Sequence, residues 1–207
     1  MPKDTFFRLD ENKQERVMRS AVDEFQKNGF EHAKVGNIAK KAGIAKGSIY
    51  QYFEDKIDFF QYTVLWAHKY FLHHQNQQTL ILKMDIFEYL LINNKQRIEL
   101  MKQEPVMAKL LLDVYLGKYN ELTQEIDEEI RHGGNADLLR MIQTGKAKGT
   151  IRQDVEDDIL ALFYQGVIRK TDEMILSMLN NVDIGLDELL EMNIRNFMKL
   201  IRTGMSS

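Results

Sequence analysis

The chain has 207 residues, 44% of them hydrophobic, with a formal net charge of −3 and no cysteine. That length can bury a sizeable core, in one domain or in a small head plus a larger body, and the missing cysteines exclude a disulfide framework and a thiolate zinc site. No apolar run follows Met1-Pro2-Lys3-Asp4, and no stretch approaches the roughly 20 apolar residues of a membrane span, so a soluble cytoplasmic protein without a membrane partner is expected.

In chain order, Asp10 predicts the cap of a first helix reaching about Asn28, where Val17, Ala21 and Phe25 make a four-residue stripe and Gly29 is the stop. Val35, Ile38, Ala39 and Ala42 then recur at helical spacing, and Gly43 falls where a helix end needs a residue that tolerates positive φ. Ile44 and Ala45 form a turn. In the next helix Ile49 and Phe53 give a single apolar edge, leaving Lys46, Ser48, Tyr50, Gln51 and Tyr52 for other faces. The methyl group of Ala39 lets two short helices cross closely at the steep angle of a helix-turn-helix. In such a motif the second helix lies in the major groove with its N-terminal residues on base edges, and the first crosses the backbone.

A fourth helix begins near Asp55 and runs through Phe59, Phe60, Trp66 and Tyr70 to about His74. Helical patterns continue over about 84–103, 105–119, 121–132 and 136–148, with Pro105 in a first-turn position and breaks at Gly133-Gly134 and Lys148-Gly149-Thr150. Asp154 opens a helix over about 155–180, and a last one covers about 187–203. With two prolines, no β-alternating segment, no repeat and no low-complexity linker, the fold class is all-α.

The run AGIAKGSIYQYFEDK, preceded by Ile38-Ala39 and by a helix ending in Phe25-Gln26-Lys27-Asn28-Gly29-Phe30, resembles the TetR-type transcriptional regulators over roughly residues 10–60. Its most specific part is Lys46-Gly47-Ser48-Ile49-Tyr50-Gln51-Tyr52-Phe53, and Lys56 falls on the lysine usual at the start of the family's fourth helix. The resemblance implies a three-helix DNA-binding head over 1–54 and a larger helical ligand-binding and dimerisation body over 55–207. It also implies that Lys46, Gly47, Tyr50 and Gln51 touch bases or nearby phosphates, while Ser48, Tyr52 and Lys56 hold the DNA backbone. One departure stands out: the family commonly has two threonines where this chain has Ala33 and Lys34, so the hydroxyl cap is missing. Lys34 can still meet a phosphate there, as a point charge.

Charge is distributed to suit this reading. Residues 1–56 carry 11 Lys and Arg against 9 Asp and Glu, a balance of +2, and the remainder has 17 against 22, or −5. A basic head on an acidic body steers one end toward phosphate.

The last two helices carry a second expectation. Val155, Ile159, Leu162, Phe163, Gly166 and Val167 line one face, and Leu190, Ile194, Phe197 and Ile201 another, stripes that serve either a core or pairing with a second copy. The resemblance implies a homodimer through a four-helix bundle of these helices, whose two-fold axis would set two recognition helices on a palindromic operator of double-stranded DNA. It also implies a small-molecule effector that relieves repression. Trp66, Tyr70, Phe87, Tyr115 and Phe163 are the candidate pocket residues by chemistry, for an apolar or amphipathic ligand, although aromatic residues at helical spacing more often belong to a core.

Other constellations point to no cofactor, no metal and no catalysis. His68, His73 and His74 have no helical metal-ligand spacing, Glu129 and His132 form a single Glu-x-x-His, and the glycines around Lys146 and Lys148 lack a phosphate-loop ending. The expected function is therefore a homodimeric, ligand-responsive repressor rather than an enzyme. The alternative is a helical small-molecule-binding protein or enzyme whose head no longer binds DNA.

Overall fold

The computed structural model describes residues 1–75, 86–126, 138–179 and 186–206, and the described residues contain helices and turns but no strand. The helices are α1 (Asp4–Phe7), α2 (Glu11–His32), α3 (Val35–Ala42), α4 (Lys46–Tyr52), α5 (Lys56–Gln75), α6 (Ile86–Gln103), α7 (Pro105–Tyr115) and α8 (Asn120–Thr123), followed by a 3₁₀ turn Gln124–Ile126. Helical residues 138–147 (α9), then α10 (Asp157–Leu179) and α11 (Leu186–Met205), complete the chain. The all-α expectation holds. No helix among the described residues is long and apolar enough to cross a membrane.

Packing divides the chain into two compact units, Met1–Tyr70 with Val106–Ile130, and Phe71–Pro105 with Arg131–Ser207. The first is organised by aromatic rings. Phe6, Phe25, Phe53, Phe59 and Phe60 are each fully buried. Phe53 stacks on Phe59 at 4.3 Å between ring centroids, Phe25 meets Phe60 edge-on at 5.1 Å, and Phe60 meets Tyr119 at 5.0 Å. Edge-to-face and offset geometries suit the ring quadrupoles and add to the area these side chains bury.

Asp10 caps α2 as its position predicts, its carboxylate accepting from the Lys13 N–H at 2.9 Å. Gly29 does adopt positive φ, at 67°, but the chain does not stop there. Phe30–His32 add another turn closed by the Ala33 N–H on the Gly29 carbonyl at 3.1 Å, so Gly29 is a kink. At α7 the opposite occurs: the helix closes at Tyr115, four residues before the predicted limit of 119, and Gly117 follows at φ 88°.

In the second unit α6 packs against α10 and α11. Buried Asn94 donates to the Leu90 carbonyl at 2.7 Å and accepts from Arg97 at 2.9 Å, and Arg97 is ion-paired with Asp172 of α10. Asp154 does not open α10. Its carboxylate accepts from Arg152 Nε and Nη2 at 2.7 and 2.6 Å, and the helix begins at Asp157, which pairs with Lys146 at 2.7 Å. Arg152 also donates its own backbone N–H to the Met205 carbonyl at 2.8 Å, which fastens the loop to the end of α11. Glu129, His132 and Gly133-Gly134 lie outside the described residues.

Candidate nucleic-acid interface

α3 is amphipathic over only two turns, and it buries Val35, Ile38, Ala39 and Ala42 at the spacing read from the sequence. Gly43 ends it with φ 71° and ψ 35°. The Ile44 N–H reaches the Ala39 carbonyl at 3.0 Å and the Gly43 N–H the Lys40 carbonyl at 3.2 Å, which is the Schellman pattern that a left-handed residue completes. A Cβ at Gly43 would meet nothing within 4 Å, so glycine is needed there for its φ and not for space.

Behind the turn, α4 buries Ile49, and Phe53 follows it into the core. That anchoring turns the rest of the helix outward: Lys46, Gly47, Tyr50 and Gln51 are exposed, and Ser48 is half-buried. Lys46 lays its stem across the start of α3, with its Cδ 3.8 Å from where a Cβ of Gly36 would stand. Nothing within 4 Å would oppose a Cβ at Gly47 either, so an incoming surface can approach the α4 backbone closely at that position. Lys46 and Lys34 form no ion pair among the described residues, whereas Lys41 pairs with Asp23 and Lys3 with Glu54 at 3.1 Å.

Two residues of the predicted set take supporting positions. Tyr52 is 8% exposed, with its ring 5.9 Å from Phe6. Lys56 donates to the Glu31 carbonyl at 3.1 Å and lies 4.7 Å over the Phe30 ring, joining α5 to the end of α2.

Lys34 is exposed at the N-cap of α3 and makes no side-chain cap, consistent with the absent hydroxyl. The cap is supplied from another helix. Glu24 of α2 accepts from the Lys34 N–H at 2.9 Å and from the Asn37 side-chain amide at 3.0 Å through the same oxygen, Oε1. A carboxylate at a helix N-terminus satisfies an orphan donor and faces the positive end of the dipole. Glu24 also lines an open groove with Asn28, Glu31, His32, Ala33, Lys34 and Asn37. Sequence reasoning passed over Glu24 because it precedes Phe25 on a different helix, ten positions before the amide it caps.

Among the candidate pocket residues, Trp66 and Tyr70 are half-buried neighbours in the first unit with ring centroids 5.7 Å apart, and Arg19 sits 5.3 Å over Tyr70. Tyr115, in the same unit, meets His68 Nδ1 through its hydroxyl at 2.7 Å. Phe87 and Phe163 belong to the second unit, Phe87 buried beneath the Arg202 guanidinium and Phe163 42% exposed. On α10, Ile159, Leu162, Phe163 and Gly166 form an exposed stripe at helical spacing, with Ile159 56% and Leu162 65% exposed and Val167 half-buried beside them. Ile201 is fully buried in its own unit while the adjacent Leu200 is exposed. The side chains of Leu190, Ile194 and Phe197 lie outside what the structure describes.

A glycine-hinged pair of short helices, the second buried through Ile49 and Tyr52 and exposing Lys46, Gly47, Tyr50 and Gln51, is a helix-turn-helix. Residues 17–63, which hold α3 and α4, match the family described as bacterial regulatory proteins, tetR family. The fatty acid metabolism regulator protein of Bacillus subtilis (strain 168) is 42% identical over 43 residues, 21% of this chain and 22% of that protein. The match thus spans about a fifth of the length of the curated relatives. Among solved structures, a TetR family transcriptional regulator from Chloroflexus aurantiacus J-10-fl is 25% identical with a TM-score of 0.65, covering 100% of this chain and 99% of that one. The transcriptional regulator FadR from Bacillus subtilis, solved in complex with stearoyl-CoA, shares the fold with a TM-score of 0.76 at 23% identity, over 92% of this chain and 98% of that one.

Proposed function

We propose that the protein is a homodimeric transcriptional repressor that binds a palindromic DNA operator and is released from it by a small-molecule effector. The observation that carries the DNA reading is α4, which holds itself by Ile49 and leaves Lys46, Gly47, Tyr50 and Gln51 exposed together. In this reading residues 1–54 recognise DNA and 55–207 serve dimerisation and ligand binding. Lys46, Gly47, Tyr50 and Gln51 meet bases and nearby phosphates. Lys34 and Ser48 contact the backbone, while Tyr52 and Lys56 act from behind by fixing α4 and α5.

Dimerisation is supported by the exposed α10 stripe, since a stripe of this kind costs free energy in water and an isologous pairing removes it from both copies. For the effector, the reading rests on an apolar or amphipathic ligand, of which the stearoyl-CoA held by the Bacillus subtilis neighbour is one example. Effector and operator affinities would be coupled reciprocally.

Selection of bound sequences from a random DNA pool tests the proposal, with a palindromic consensus expected. On the selected site Lys46→Ala weakens binding and lowers the slope of log affinity against log salt by about 1, the loss of one phosphate contact. Wild-type affinity of that variant across the whole salt titration would overturn the assignment of Lys46.

A further inference from the structure

We infer that residues Lys3–Phe6, which lie outside the family-matched stretch, are a brace that sets the orientation of the recognition helix and thereby its base discrimination. The inference rests on the DNA reading above and deepens it.

The need for a brace follows from the length of α4. It has seven residues, no side-chain cap on its N-terminal residue Ala45, and four final carbonyls without partners inside the helix. Every one of those carbonyls is satisfied. Ile49 accepts from the Phe53 N–H at 2.8 Å, and the other three accept from the N-terminal segment. The Lys3 ammonium donates to the Tyr50 carbonyl at 3.3 Å, the Thr5 hydroxyl to the Gln51 carbonyl at 2.5 Å, and the Lys3 N–H to the Tyr52 carbonyl at 2.8 Å. A lysine at this end also faces the negative pole of the helix dipole.

Phe6 fixes the segment in place. It is fully buried, with ring centroids 5.9, 5.2 and 5.6 Å from those of Tyr52, Phe53 and Tyr62. Tyr50 and Gln51 thus present their side chains outward from a backbone whose carbonyls the brace holds. Rotation or fraying of α4 would move those side chains off the base edges, while phosphate contacts made by flexible lysines would adapt. The brace therefore acts as a positioning device, and its effect belongs to specific binding.

The test uses full-length protein with the hydroxyl removed or kept: Thr5→Val against Thr5→Ser, and Phe6→Ala against Phe6→Leu. Affinity is measured for the selected operator and for unrelated duplex DNA at one salt concentration. Thr5→Val is expected to weaken operator binding about fivefold, the value of one ordinary hydrogen bond, with non-specific binding unchanged, and Thr5→Ser to restore it. Phe6→Ala is expected to lower the specific-to-non-specific ratio further, with Phe6→Leu between it and wild type. Unchanged operator binding by Thr5→Val and Phe6→Ala overturns the brace while leaving the DNA reading intact. An equal loss of specific and non-specific binding overturns it too, because that is the mark of a head that has simply unfolded. A wild-type protein that selects no sequence overturns both.

Discussion

Glu24→Ala removes an acceptor that serves two donors. The oxygen at 2.9 Å from the Lys34 N–H and 3.0 Å from the Asn37 amide is the cap of an eight-residue helix whose own N-cap residue provides none. Losing a cap costs about 1 kcal/mol, and losing a carboxylate beside a helix N-terminus adds about 0.5 kcal/mol at a half-exposed site. A total near 1.5 kcal/mol corresponds to a fall in melting temperature of about 3–6 °C for a chain of this size. Glu24→Gln keeps the acceptor and loses only the charge, so its fall should be less than half as large. Calorimetry on the two variants distinguishes them, and Lys34→Thr added to Glu24→Ala should restore stability by returning a hydroxyl to the N-cap. The DNA effect runs the other way: Glu24→Gln takes a negative charge off the interface corner and should raise operator affinity at low salt. The reasoning fails if Glu24→Ala melts with wild type, or if Glu24→Gln loses as much as Glu24→Ala.

Two further outcomes follow from the second unit. Leu162→Glu places a charge in the middle of the exposed α10 stripe and should convert the proposed dimer to a monomer by sedimentation, with helicity by circular dichroism retained; a variant that stays dimeric removes this stripe from the proposed interface. The Asp154 carboxyl, held down to about 2 by the Arg152 hydrogen bonds, binds its proton less readily in the folded protein than in the unfolded chain. Its contribution to stability is therefore complete above the ordinary carboxylate range and is lost as pH falls toward about 2, and carbon-13 NMR titration of that carboxyl should place its midpoint below those of unpaired aspartates. A midpoint in the ordinary range would separate it from Arg152 in solution.

The parts of the interface that the sequence made legible are local. Val35, Ile38, Ala39, Ala42 and Gly43 declare a helix and its end within nine residues, and Ile49 with Phe53 fixes which side of α4 faces inward. What stayed hidden depends on contacts between elements. The Thr5 to Gln51 hydrogen bond spans 46 positions, and the Glu24 cap joins two helices, so no periodicity within one segment reveals either. Asp154 shows the same limit from the other side: an aspartate before an apolar stripe reads as a cap, but a bidentate arginine two residues earlier competes for its oxygens and wins. Gly29 was legible in its φ and not in its consequence, because a helix can resume after a left-handed residue when the next turn finds its carbonyl.

The aromatic core of the first unit bears on how such heads can be exchanged between regulators. Phe59 and Phe60 lie beyond residue 54, yet Phe59 stacks on Phe53 and Phe60 meets Phe25 edge-on, and Tyr119, much later in the chain, closes onto Phe60. Gln61 adds a hydrogen bond to the Leu122 carbonyl at 2.9 Å. A chimera joined after residue 54 would graft a recognition helix whose foundation belongs to the recipient. The compact unit is discontinuous, Met1–Tyr70 together with Val106–Ile130, so under the proposed function a new operator preference is more readily acquired by substitution on the face of α4 than by recombination of a contiguous segment.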